Sequence, residues 1–150
     1  MSQSLAKIYL HIVFSTINRK PLISTLIEDQ LYRYISKICL NQGSFVHQMG
    51  GTEDHLHILL ELSRTLTPSV LIESIKSNSS WWIKSHFPEC NDFSWQKGYA
   101  VFSVDQSNYD RIKQYILNQK THHMKRDFKQ ELLIFLQHAQ VNYDERYLWN

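Results

Sequence analysis

The sequence predicts an α+β fold, an antiparallel sheet with helices on one face and further helices after it, and three observations predict it. Segments of alternating or β-branched residues are interleaved with segments of helical periodicity in the order strand, helix, strand, strand, helix, strand. A glycine-bearing turn separates the second and third strands, the mark of a hairpin and so of antiparallel pairing. At 150 residues, 43% hydrophobic and 20% charged, the chain has the size and composition of one soluble domain, residues 1–150, able to bury a core.

The first strand is expected over residues 5–16, where Ile8, Leu10, Ile12 and Phe14 fall in step on one face. Asn18-Arg19-Lys20-Pro21 ends it. Over 21–41, Ile27, Leu31, Tyr34, Ile35 and Ile38 recur at helical spacing, and Asn41-Gln42-Gly43 supplies the stop. A short strand over 44–49, a turn at Gly50-Gly51-Thr52-Glu53 and a strand over 54–62 make the hairpin. Thr67-Pro68 has the form of an N-cap followed by proline in the first turn, and Leu71, Ile72, Ile75 and Trp82 carry a helical stripe towards His86. The last strand is expected over 99–104; Ser107 and Asp110 then resemble a capping box opening a helix that reaches about His123. A further amphipathic segment follows Asp127, with Phe128, Leu132, Phe135 and Leu136, and the aromatic tail 143–150 is expected to pack. This element order is that of a ferredoxin-like (RRM-like) unit.

Several function classes are disfavoured by composition. No apolar run approaches the ~20 residues that span a bilayer, and residues 1–7 lack a secretion signal, so no membrane association and a cytoplasmic location are expected. Cys39 and Cys90 are too few for a disulfide framework or a thiolate metal site. No Gly-x-x-x-x-Gly-Lys loop is present, so no nucleotide cofactor is expected. A net charge of +2 permits nucleic-acid binding only through a local surface.

The chemistry-bearing motif is Asp54-His55-Leu56-His57-Ile58-Leu59-Leu60, in which strand alternation sets both imidazoles on one face and Leu56, Ile58 and Leu60 on the other. Alone it equally describes a partly exposed strand. A second segment, Tyr115-Ile116-Leu117-Asn118-Gln119, places a phenol and an amide one helical turn apart, with His122 on the same side. Two imidazoles with the Gln119 carboxamide oxygen can bind a divalent cation and leave positions open; imidazole ligation by itself favours zinc or another transition metal. Asp54 reads either as an orienting partner of an imidazole or as a hairpin-end aspartate. His11, on the polar side of the first strand, reads as a hydrogen-bonded structural histidine or a DNA contact.

In these two motifs, their order and their separation, the chain resembles the single-tyrosine HUH transposases of the insertion-sequence 200/605 type, and the likeness runs from Ile8 to the Gln119-Lys120-Thr121-His122-His123 segment. The resemblance implies a DNA transposase that cuts and rejoins single-stranded DNA at hairpin ends, with Tyr115 as nucleophile and a 5′-phosphotyrosine intermediate. It implies metal ligation by His55, His57 and Gln119, with magnesium or manganese as the ion. It also implies a homodimer paired edge to edge, in which a tyrosine helix completes the partner's site through a connection that here, Asp105-Gln106-Ser107, contains no glycine. His122 reads as a further metal or phosphate contact or as a helix-terminal cation, and His123 as the latter.

Lys76, Trp82, Lys84, Lys97 and Lys120 mix charge with aromatic surface in the manner of single-strand binding sites and are the expected DNA contacts. Two other readings stand beside the transposase: a relaxase-like or replication-initiator nickase, and a ferredoxin-like module that binds single strands without turnover.

Overall fold

The computed structural model describes residues 2–123 and 125–150. Four strands, β1 (Tyr9–Ser15), β2 (Phe45–Gly51), β3 (His55–Glu61) and β4 (Ala100–Val104), form one antiparallel sheet in the order β2-β3-β1-β4. Helix α1 (Thr25–Asn41) joins β1 to β2, and α2 (Pro68–His86) joins β3 to β4. After β4 come α3 (Tyr109–Leu117), α4 (Gln119–His122), α5 (Phe128–His138) and α6 (Glu145–Leu148). The expected element order is therefore present, and none of the described helices is long and apolar enough to cross a membrane.

Alternation assigns the sheet its two faces. Leu10, Ile12 and Phe14 pair across β1 and β3 with Leu60, Ile58 and Leu56, and all six enter the main core with Ile27, Leu31 and Ile35 of α1 and Leu71, Ile72 and Ile75 of α2. Helix α2 begins as its sequence dictates, with the Thr67 side chain accepting from the Val70 backbone N–H at 3.3 Å and Pro68 in the first turn. Trp82 is a correction to the expected DNA contacts: its ring is buried and stacked on Tyr34 with centroids 4.9 Å apart, so no base can stack on it. Trp82→Ala is expected to lose about 3–5 kcal/mol of stability in urea unfolding, whereas Trp81→Ala, at a side chain 64% exposed, should change it by no more than about 0.5 kcal/mol.

The opposite face is not free, as an unaccompanied ferredoxin-like unit would leave it. Val13 packs beneath Phe128, Leu132 and Leu136 of α5, with Leu148 and Trp149 of the tail alongside. Leu59 and Val104 pack beneath Ile116 of α3. Those apolar residues share their face with the histidines, and covering them with two amphipathic helices removes them from water.

Five features differ from expectation for local reasons. The first strand starts only at Tyr9, which pairs with Glu61 at the end of β3; Leu5, beyond any partner, is 81% exposed. The first helix begins at Thr25, four residues after Pro21. Ser107 makes no capping box with Asp110, because its hydroxyl donates to Asp105 in a 3₁₀ turn, Gln106–Asn108; the capping box belongs instead to Asp127 and Gln130 at the start of α5. The tyrosine helix stops at Asn118 (φ −98°, ψ 23°), which separates α3 from α4. Gly50 and Gly51, expected in a turn, lie in β2. A Cβ on Gly50 would stand 2.2 Å from the Ile116 carbonyl oxygen, so a glycine there is what lets α3 rest on the sheet.

Candidate active site

Four parts of the chain meet on the covered face. β3 supplies His55 and His57, both fully buried; β1 supplies His11; α3 and α4 supply Tyr115 and Gln119; and α5 supplies Glu131. The Glu131 carboxylate is the hub. One oxygen lies 2.7 Å from His57 Nε2 and 3.5 Å from His55 Nε2. The other accepts from the Tyr115 hydroxyl, from His123 Nε2 at 3.0 Å and from Gln119 Nε2 at 3.3 Å. Burial works to raise the Glu131 pKa, but the hydrogen bonds from His123 and His57, with the His57 and His55 imidazoles beside it, outweigh it and hold the group well below the ordinary carboxylate range. Glu131 is thus a buried anion. Burial lowers His57 to about 4 against the pull of Glu131, so the imidazole is neutral. Burial, then the charge and hydrogen bond of Glu131, push the Tyr115 phenol up, which keeps the hydroxyl protonated and donating.

His55 is oriented from behind. Asp54 Oδ1 sits 2.7 Å from His55 Nδ1 and also accepts from the Thr52 hydroxyl at 2.9 Å. Burial would raise the Asp54 pKa, but these hydrogen bonds prevail and lower it, so the carboxylate fixes the His55 proton on Nδ1. Nε2 of His55 is then a bare lone pair facing Gln119 Oε1 at 3.0 Å. Turning the amide round would only set its oxygen against Glu131. Acceptors of His55, Gln119 and Glu131 therefore converge with too few protons between them.

A divalent cation fits that donor set. One ligand atom each from His55, His57, His123 and Glu131 lies within 4.8 Å of the others, and donors bound at ~2.1 Å and at right angles are themselves about 3 Å apart. Gln119 Oε1 adjoins the same atoms. His123 is more than a helix-terminal cation, because its ring points at Glu131 and not at solvent. His122 does not point its nitrogens into the cluster; its ring stacks on Tyr115 with centroids 4.6 Å apart at 22°. Tyr115 itself stands beside His57 of its own chain, ring centroids 5.9 Å apart.

Glu131 and His123 were missing from the sequence-derived ligand set. Glu131 had a legible signal: at helical spacing it falls between Phe128, Leu132 and Phe135, in the middle of the apolar stripe of α5, where a carboxylate is costly unless it has partners. His123 had none, since its partner comes from another helix.

The expected DNA contacts scatter. Lys76 is a second correction: its ammonium donates to the carbonyls of Gln96, Lys97 and Gly98 at 3.0, 3.3 and 2.6 Å, and burial lowers its pKa to about 8. It clamps the loop before β4. Lys84 is exposed on α2, in the helical layer across the sheet from the histidines, and Lys97 is exposed in the loop it shares with Gly98. Lys120, next to Gln119, is exposed but paired with Glu28 at 2.5 Å.

Comparison with known proteins bears on the fold and the family. The profile of the family described as "Transposase IS200 like" matches residues 4–119. No curated protein matches. Among solved structures, a protein of Deinococcus radiodurans assigned as a transposase superposes with a TM-score of 0.63 at 22% identity, covering 79% of this chain and 98% of that one. A REP-associated tyrosine transposase bound to a REP hairpin superposes at 0.57 with 17% identity, covering 82% of this chain and 74% of that one. The ferredoxin-like architecture is shared with these proteins, and Glu131 lies beyond the family-matched stretch. The chain belongs to the IS200-like transposase family.

Proposed function

We propose that this transposase cuts and rejoins single-stranded DNA through a 5′-phosphotyrosine on Tyr115, at a divalent-cation site formed by His55, His57 and Gln119 with Glu131 and His123. The observation that carries the reading is the meeting of a phenol from α3 with two imidazoles from β3, residues separated by more than fifty positions and brought together around one buried carboxylate. A structurally similar tyrosine transposase binds a REP hairpin, which supports hairpin-forming DNA as the partner here.

Access to the phenol favours one side. Tyr115 borders a groove of about 390 Å³ between α3 and α5 that also presents Phe102, Arg111, Phe135 and His138, a mixture of rings and positive charge suited to a single strand. The groove on the other side of the cluster presents Glu28, Glu53, Asp54 and Asp127 beside Lys120 and His123, and its excess of carboxylates disfavours phosphate. Because His55, His57 and Glu131 are buried, a scissile phosphate enters as α5 draws back from the sheet.

A cation held there by His55, His57, Gln119, Glu131 and His123, magnesium or manganese by the family resemblance, would supply positive charge to the phosphate under attack. The Tyr115 oxygen, aimed by its hydrogen bond to Glu131, attacks phosphorus as its proton is lost to solvent. The bond from phosphorus to the 3′ oxygen breaks, and that oxygen leaves as a hydroxyl after taking up a proton. The new phosphotyrosine ester conserves the phosphodiester, so attack by another 3′-hydroxyl rejoins ends without ATP. Each Tyr115 serves the histidines of its own chain, and a homodimer, if paired through a sheet edge, would use β2 or β4. Incubation with labelled single-stranded hairpin ends and Mn²⁺ should yield a covalent adduct that peptide mapping places on Tyr115. A protein that binds these strands and never forms an adduct with any of them would be the non-catalytic binding module instead.

A further inference from the structure

His11 is buried at 1% exposure on β1, behind His57, and the cleavage chemistry gives it no task. Its Nε2 lies 2.8 Å from His57 Nδ1, the two rings are stacked with centroids 5.0 Å apart at 23°, and Phe135 packs edge-on against it at 5.0 Å. Two ring nitrogens at that separation share one proton. Which ring carries it depends on the far side of His57. There Nε2 faces Glu131 Oε1 at 2.7 Å, and a carboxylate only accepts. In this arrangement His57 therefore has its proton on Nε2, its Nδ1 is bare, and His11 donates.

A histidine that ligates through Nε2 needs the reverse. Its lone pair must be free at Nε2, its proton sits on Nδ1, and the group behind it must accept. A carboxylate such as Asp54, behind His55, serves only that second state. A lysine would serve only the first. An imidazole serves both, by moving its own proton between Nε2 and Nδ1.

We propose that His11 is a positioning residue that holds the His57 ring in both tautomers, so that loading the site with a cation reverses one hydrogen bond instead of breaking it. This rests on the reading of His57 as a cation ligand. The contrast between the two metal-facing histidines follows from it: His55, whose Nε2 is already bare, is locked by Asp54, while His57, which must be released from Glu131, is backed by a partner that can reverse.

The test is ¹⁵N NMR of the imidazole nitrogens in the full chain, without metal and with Mg²⁺, together with Mn²⁺ binding followed by EPR. In the metal-free protein His57 should show a protonated Nε2 and a bare Nδ1, and Mg²⁺ should exchange them, with the His11 nitrogens changing in concert. His11→Phe should weaken Mn²⁺ binding by about 10- to 100-fold. His11→Gln, whose amide can donate or accept, should recover most of that loss. A metal-free His57 already protonated on Nδ1, unchanged Mn²⁺ affinity in His11→Phe, or no recovery in His11→Gln would each overturn the inference while leaving the metal site standing. Failure of the wild-type chain to bind Mn²⁺ or Mg²⁺ would remove the metal site itself, and this inference with it.

Discussion

Tyr115→Phe is expected to leave no covalent protein–DNA adduct while strand binding persists. The substitution removes one oxygen and keeps the ring, so the stack on His122 and the edge contact with Phe135, centroids 4.6 and 5.3 Å away, are retained. Glu131 loses one donor of its set and keeps His57, His123 and Gln119. Loss of that single hydrogen bond should cost about 1 kcal/mol, far too little to unfold the chain, so a missing adduct reports on chemistry. The same variant decides whose tyrosine is used. Because Tyr115 sits beside its own His57, mixing Tyr115→Phe with His57→Ala protein should restore nothing, since each molecule lacks half of its site. Adduct formation in the mixture would assign the phenol to the partner subunit, and an adduct on Tyr115→Phe alone would assign the attack to another residue.

Gly50→Ala should also lower cleavage sharply, from a position that meets His57 only as its backbone partner across β2 and β3. The added methyl would lie 2.2 Å from the carbonyl oxygen of Ile116. That oxygen is backbone, held in α3, and cannot swing aside as a flexible side chain would. The helix must retreat by roughly 1 Å, and a misplacement of that size costs on the order of 10²-fold in rate. Tyr115, the neighbour of Ile116, moves with it. Overpacking should also remove about 1–3 kcal/mol of stability, so cleavage is to be compared at a temperature where urea titration shows both proteins folded. Gly43→Ala is the control: its φ of +73° makes alanine strained, but the nearest atom is Ser63 Oγ at 3.6 Å, remote from α3. It should lose stability and keep its cleavage rate. A Gly50→Ala protein that cleaves like wild type would show that the fit of α3 on β2 does not set the position of Tyr115.

What the sequence by itself determined is everything carried by local periodicity and capping. The alternation of Leu10, Ile12 and Phe14, the helical stripes of α1 and α2, the Thr67-Pro68 start and the order of strands specify a ferredoxin-like sheet, because each signal is contained within a few residues. The pairing of His55 with His57 on one face, and of Tyr115 with Gln119 on one side of a helical segment, follow from the same short-range geometry, and with them the family. Only the tertiary structure decided that this face is covered, and what covers it. Phe128, Leu132 and Leu136 bring Glu131 down onto β3 as they close over Val13, and the register of β1 on β3 sets His11 behind His57. Trp82 and Lys76 look like DNA contacts in one dimension and become core and clamp in three. Such roles depend on which distant atoms satisfy a buried charge or ring nitrogen, and a single segment holds no record of its partners.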